Sequence, residues 1–274
     1  MGFIKLFNPM LGWVIVTKNR DLLWQLTRRS IISRYQGSIL GLLWSLVQPL
    51  LLLAVYTFVF SVVFKMRWGI DNGDNKTAFA IIMFCGMTIF NIFSECVNGS
   101  CGLITGNPNY VKKVIFPLEV LPFAHVLAIT ILSIIWFFLL FLGAFFFLDK
   151  VSSTMLFLPV TVIPLILICA GVSLFVASLT VYLRDISQLV SVITQILFYM
   201  TPIFYPIQAV PERYQWILQI NPLTLVIEQT RLLFLYGKMP NWYFCLISWI
   251  IAFIVFQLGL VWFEKTKKGF ADVL

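Results

Sequence analysis

The chain has 274 residues, of which 61% are hydrophobic and only 11% charged, and its formal net charge is +8. A typical soluble domain carries about 25% charged residues, and a water-soluble core has no use for so much apolar surface. The apolar residues come in runs of about 20 or more separated by short polar punctuation, the pattern of bilayer-spanning helices, so residues 1–274 read as one membrane domain.

The first 20 residues mix Lys5, Lys18 and Arg20 with Asn8, Pro9 and Gly12. They lack a clean apolar stretch ending in a small-residue cleavage site, which predicts no cleavable signal peptide. Residues 19–37 then set Leu22, Leu23, Trp24, Leu26 and Ile31 among Arg28, Arg29 and Arg34. That is a basic amphipathic helix suited to lying in the membrane interface, a cytoplasmic collar before the first span.

Six segments are long and apolar enough to cross: 39–64, 78–104, 118–148, 154–182, 186–204 and 242–263. Several exceed the minimum length, which predicts tilting, protrusion, or kinks at Pro159, Pro164 or Pro202. Between the second and third spans, N-P-N-Y-V-K-K-V-I-F-P-L-E-V-L-P (107–122) is a short amphipathic segment punctuated by Pro108, Pro117 and Pro122. It exposes Lys112 and Lys113 and leaves Ile115, Phe116 and Leu118 able to pack. A soluble motor domain can grip a short helix of this kind, the favoured reading; the alternative for the two lysines is that they mark the inner side. At the next inner turn Y-L-R-D-I (182–186) sets Arg184 beside Asp185. The stretch 205–241 is too polar for a regular span, and two short helices dipping back into the outer leaflet, broken at Asn221-Pro222, fit it best.

Orientation follows from the basic residues. With the N-terminus inside, twelve of the 19 fall on the cytoplasmic side: Lys5, Lys18, Arg20, Arg28, Arg29, Arg34, Lys112, Lys113, Arg184, Lys265, Lys267 and Lys268. Lys65, Arg67, Lys76, Lys150, Arg213, Arg231 and Lys238 fall outside. Both termini are thus assigned to the cytoplasm. The positive charge is explained by topology and anionic-lipid attraction, with no nucleic-acid partner. The five cysteines (Cys85, Cys96, Cys101, Cys169, Cys245) lie in or beside apolar runs and read as packing residues, not a disulfide framework.

Chemistry is thin. There is one histidine, and the sequence holds no H-E-x-x-H, no Cys/His metal spacing, no G-x-S-x-G and no phosphate-binding G-x-x-x-x-G-K-[ST]. Glu95 in the second span and His125 in the third lie toward the inner ends, where they are able to face each other as a polar lining, a structural hydrogen bond or a proton relay. What remains is a conduit driven by energy from elsewhere.

These strings, with M-T-P-I-F-Y-P (200–206), I-N-P-L-T-L-V-I-E-Q-T-R (220–231) and R-Y-Q-G-S-I-L-G-L-L-W-S-L-V-Q-P (34–49), resemble the permease subunits of type-2 ABC transporters that export O-antigen, capsule or teichoic acid. The resemblance runs from about residue 19 to residue 265. It implies an all-α fold of six spans in a bacterial inner membrane, and a homodimer paired with two separately encoded ATPase subunits that bind ATP and Mg; no cofactor is implied on this chain. It matches the coupling segment to Asn107–Pro117 (Asn107, Pro108, Tyr110, Lys112, Lys113, Phe116, Pro117), the interface helix to 19–37 and the outer gate helices to 206–238, where Asn221, Pro222, Glu228 and Arg231 stand.

The substrate so implied is a glycan carried on undecaprenyl diphosphate. Aromatics make up 16% of the chain, and flat rings offer sugar CH faces weak, repeated contacts. Candidate lining rings are Tyr56, Phe60, Phe64, Phe84, Phe90, Phe93, Tyr199, Phe204 and Tyr205; each also suits plain lipid-facing filler. Arg28, Arg29 and Arg34 are candidates for the diphosphate at the cytoplasmic entrance, or for general attraction to anionic phospholipid. Glu228 and Arg231 predict a local helix pair first and a gating role second. A type-2 exporter of a drug or lipid, an intramembrane glycosyltransferase or acyltransferase, and a passive scaffold are the competing classes. The enzymes need clustered acids or a His-Asp pair at an interface, which the sequence does not supply.

Overall fold

The computed structural model describes residues 11–63, 76–112, 116–148 and 152–274. Phe64, Lys113 and Ile115 lie outside the described residues, as do Lys5, Lys65, Arg67 and Lys150 of the charge count. The described residues contain helices and no strand, as lipid demands of a chain that must satisfy its backbone within each segment.

In chain order the helices are α1 (Leu11–Lys18), α2 (Arg20–Tyr35), α3 (Trp44–Tyr56), α4 (Lys76–Ser100), α5 (Pro108–Lys112), α6 (Val120–Leu148), α7 (Leu158–Tyr182), α8 (Ile186–Met200), α9 (Glu212–Ile220), α10 (Pro222–Phe234), α11 (Trp242–Thr266) and α12 (Phe270–Val273). α3 runs on as a π-helical stretch, Thr57–Val63. Among the described residues, four helical segments are long and apolar enough to cross a membrane: Ala78–Ser100, Val120–Phe146, Ser153–Tyr182 and Trp242–Val273. The predicted first and fifth spans form shorter apolar helices, Trp44–Phe60 and Ile186–Met200. At 1.5 Å per residue these reach about 25 Å and about 22 Å, short of a hydrocarbon core of roughly 30 Å.

Proline acts differently at its three predicted kink positions. Pro159 sits in the first turn of α7, where its missing N–H costs nothing, and Pro164 lies inside that helix. Pro202 lies in the loop beyond the end of α8.

The central pair is α7 and α11. A Cβ on Gly259 would meet the carbonyl of Gly171, and one on Gly171 would meet the backbone of Val255 and Phe256. The two backbones approach this closely because only hydrogen stands between them. That is the packing expected where lipid removes the hydrophobic drive between helices and van der Waals contact must supply it. Around this pair the core divides. One cluster joins α4, α6, α7, α8 and α10 through Met83, Ile89, Val126, Leu165, Val190 and Ile227. Another, at the opposite end, joins α2, α6, α7, α11 and α12 through Leu23, Phe123, Leu174, Phe263 and Phe270.

α10 is the element hydropathy described least well. Ten of its 13 residues are buried, so it packs among the long helices, while its partner α9 exposes Tyr214, Trp216 and Ile220. The break between them falls at Asn221-Pro222 as the sequence predicts. Asn221 Oδ1 accepts from Leu223 N at 3.0 Å and caps α10, and its Nδ2 donates to Thr201 Oγ1 at 2.9 Å.

Candidate functional site

α2 lies across the ends of α4 and α6 and is anchored there by Thr27, fully buried, whose hydroxyl bonds Leu23 O at 2.7 Å and reaches Ala124 O. Beyond that anchor the three helices part to leave a cleft of about 410 Å³. Its walls are Ser30, Ser33 and Arg34 of α2, Glu95, Asn98 and Gly99 of α4, and His125, Ala128, Ile129 and Leu132 of α6. A smaller recess adjoins it, where Ser45, Gln48 and Pro49 of α3 meet Asn91, Ser133 and Trp136.

The centre of the cleft is an ion pair. Arg34 Nη1 donates to Glu95 Oε2 at 2.6 Å, with side-chain exposures of 37% and 23%. Asn91 Nδ2, one helical turn back, donates to the other carboxylate oxygen at 3.0 Å. The hydrogen bond to Glu95 raises the pKa of the Arg34 guanidinium further above its ordinary value, while burial pulls the other way. His125 Nε2 lies 3.4 Å from the Glu95 carbonyl, so the two ionisable residues singled out in the second and third spans do meet, through the backbone of one. Asn98 Nδ2 donates to Ser94 O at 2.8 Å and lies 3.2 Å from Thr194 Oγ1 of α8, tying the cleft wall to that helix. Asn91, Asn98, Ser30 and Ser33 escaped the sequence reading; their signal was a polar face on α2 and α4 beside Arg34 and Glu95.

The three arginines of α2 singled out for the diphosphate separate. Arg28 is exposed, Arg34 is held by Glu95, and Arg29 Nη1 donates to Tyr110 Oη at 2.9 Å. That last bond reaches the segment singled out for coupling. Here Pro108 opens α5, Asn107 Nδ2 bonds Leu103 O at 2.9 Å, and Tyr110 stacks on Phe116 at 4.5 Å between centroids. Val120 N caps the turn by donating to Pro117 O at 3.0 Å, and Lys112 is exposed. α12 docks nearby: Phe270 is fully buried against Phe263 and Tyr182, and Lys267 bridges Glu119 at 3.3 Å and Glu264 at 2.7 Å.

Most of the singled-out rings assemble around one that was not. Phe198 of α8 contacts Tyr56, Phe90, Tyr199 and Phe204. Phe60 stacks on Phe204 at 4.4 Å, Phe93 packs on Phe90 at 6.3 Å, and Tyr205 Oη donates to Tyr199 O at 3.0 Å. Phe84 stands apart, stacked on Trp136 at 5.7 Å. Phe90, Phe93 and Phe204 are buried within this chain and Tyr199 is 62% exposed.

Glu228 and Arg231 do form the predicted helix pair, at 2.8 Å. The larger contacts of Arg231 are elsewhere, since it is 1% exposed and its two terminal nitrogens donate to Pro202 O at 2.7 Å and Ile203 O at 3.1 Å.

Over nearly its whole length the chain is similar to known permeases. It is 31% identical over 260 residues to an O-antigen export system permease protein, RfbA, of Klebsiella pneumoniae, covering 93% of this chain and 95% of that one. It is 28% identical over 263 residues to the RfbA permease of Myxococcus xanthus, covering 92% and 95%. Against the polysialic acid transport protein KpsM of Escherichia coli it is 24% identical over 205 residues, covering 74% and 77%. The profile of the ABC-2 type transporter family matches residues 21–235, from the start of α2 to the end of α10. The chain therefore belongs to the ABC-2 type transporter family.

Proposed function

We propose that the chain is the permease subunit of an ATP-driven exporter that carries lipid-linked polysaccharide, O-antigen above all, across the bacterial inner membrane. The observation that carries this reading is the similarity to O-antigen export permeases over 93% of the chain. In this reading two copies form the conduit, with six crossings each once α3 and α8 are counted, and both termini lie in the cytoplasm. Two ATPase subunits, which hold the ATP and Mg, grip the segment from Asn107 to Pro117. The aromatic cluster around Phe198 lies along the glycan path, and α9 and α10 act as the outer gate.

The diphosphate of an undecaprenyl carrier is attracted by the basic face of α2. Arg28, which is exposed, contributes most, because Tyr110 and Glu95 engage Arg29 and Arg34. A capsule exporter is the second reading, favoured by the similarity to the polysialic acid transport protein.

The test is co-expression with the neighbouring ATPase in cells lacking their own O-antigen permease. Surface O-antigen on immunoblots, together with lipid-stimulated ATP hydrolysis by the co-purified complex in liposomes, is the expected result. Failure of the two chains to associate overturns the proposal.

A further inference from the structure

The lining of the 410 Å³ cleft between α2, α4 and α6 is poorly matched to a diphosphate. Arg34, the cation in its wall, is already neutralised by Glu95 at 2.6 Å, and a phosphate entering there would face a fixed carboxylate. The same arrangement suits a ligand that is neutral and rich in hydroxyls. Glu95 is pinned by Arg34 and Asn91, one bond to each oxygen, so about half of the roughly four acceptor sites of a carboxylate stay open. Ser30, Ser33, Asn98 and His125 add hydroxyl, amide and imidazole groups around it, and Ala128, Ile129 and Leu132 form an apolar wall. A hydroxyl-binding rim facing an apolar strip fits the two kinds of surface on one sugar ring, and the volume lies within the range of about 300–1,000 Å³ of small-molecule sites. Ionisable groups on bilayer-length helices are costly and mark function; Glu95 and His125 lie on two such helices.

We infer that this cleft binds a single neutral sugar residue, the one nearest the lipid diphosphate, and so distinguishes a glycosylated carrier from a bare one. The inference rests on the exporter reading above.

Gly99 supplies a probe that deletes no polar group. The His125 ring lies against it, and a Cβ there collides with Nε2 and Cε1; Gly99→Ala drives the imidazole into the cleft. Ser30→Ala removes a rim hydroxyl instead. The permease with its ATPase, in nanodiscs, is titrated with polyprenyl diphosphate and with polyprenyl diphosphate bearing one N-acetylhexosamine. Wild type is expected to prefer the glycosylated lipid about tenfold. In both variants that preference falls to about twofold or less through weaker binding of the glycosylated lipid, while the thermal unfolding profile stays that of wild type. Gly99→Ala carries the same expectation if Ser30→Ala misfolds, and the reverse. An unchanged preference in a folded variant overturns the inference, as does equal loss for both lipids. Wild-type binding of both lipids alike overturns the cleft assignment and spares the exporter, whereas binding of neither overturns both.

Discussion

The Nη1 of Arg231 lies 2.7 Å from the carbonyl oxygen of Pro202, so a guanidinium 1% exposed spans the gap between α10 and the loop that ends α8. The loop Thr201–Phe204 is buried and its carbonyls have no water to turn to. Arg231→Gln leaves the Pro202 and Ile203 oxygens without these donors, at about 1–3 kcal/mol each. The expected outcome is a total loss of about 3 kcal/mol or more, read as a lowered unfolding midpoint of the purified protein in detergent. Arg231→Lys, with a point charge in place of a fork, should fall between wild type and the Gln variant.

Replacing a helix-interior glycine by alanine ordinarily gains about 1 kcal/mol. At Gly259 the sign reverses, because the added methyl meets the carbonyl of Gly171 and overpacking costs about 1–3 kcal/mol. Gly259→Ala is expected to lower the unfolding midpoint and Gly102→Ala, whose Cβ meets nothing within 4 Å, to leave it unchanged or raise it.

Arg34 and Glu95 lend themselves to a double-mutant cycle. The pair is short, but Arg34 is 37% exposed, so solvent screening cuts a charge-assisted bond toward about 1 kcal/mol. Arg34→Met and Glu95→Met should each destabilise by more than the pair is worth, each leaving a lone charge. The double variant should be milder than their sum by about 1 kcal/mol, the coupling energy that chemical denaturation of the three variants reads.

Tyr110→Phe removes the hydroxyl that accepts from Arg29 and keeps the stack on Phe116. Stability should change by about 1 kcal/mol or less. Under the exporter reading, ATP hydrolysis by the complex should persist while export per ATP falls severalfold, measured by paired hydrolysis and surface-glycan assays. Unchanged export per ATP would show that α2 takes no drive from α5.

Wherever a local rule governs, the chain was readable from its residues. The basic amphipathic stretch 19–37 folds as Arg20–Tyr35, and Asn221-Pro222 breaks and caps a helix pair because both residues act on their own neighbours. The predicted fifth span outran its helix because hydropathy scores Ile203 and Phe204 alike whether lipid or protein covers them; here protein does, in a loop. Arg231 was counted as an outer-side charge and a local partner of Glu228, since nothing in helical spacing reports carbonyls 28 and 29 residues away. The cleft was half legible. Glu95, His125 and Arg34 were singled out one by one, but only the tertiary arrangement joins α2 to α4 and α6 around them.

Phe204 sits where two kinds of fastening meet. On one side its loop is bolted to α10 by the Arg231 guanidinium and the Asn221 amide, bonds that resist sliding because their geometry is strict. On the other its ring stacks on Phe60 and lies tilted against Tyr56, contacts that tolerate tilt and offset at little cost. A displacement of Phe204 along the ring contacts with the end of α3 therefore costs less than one that breaks the bonds from its loop to α10.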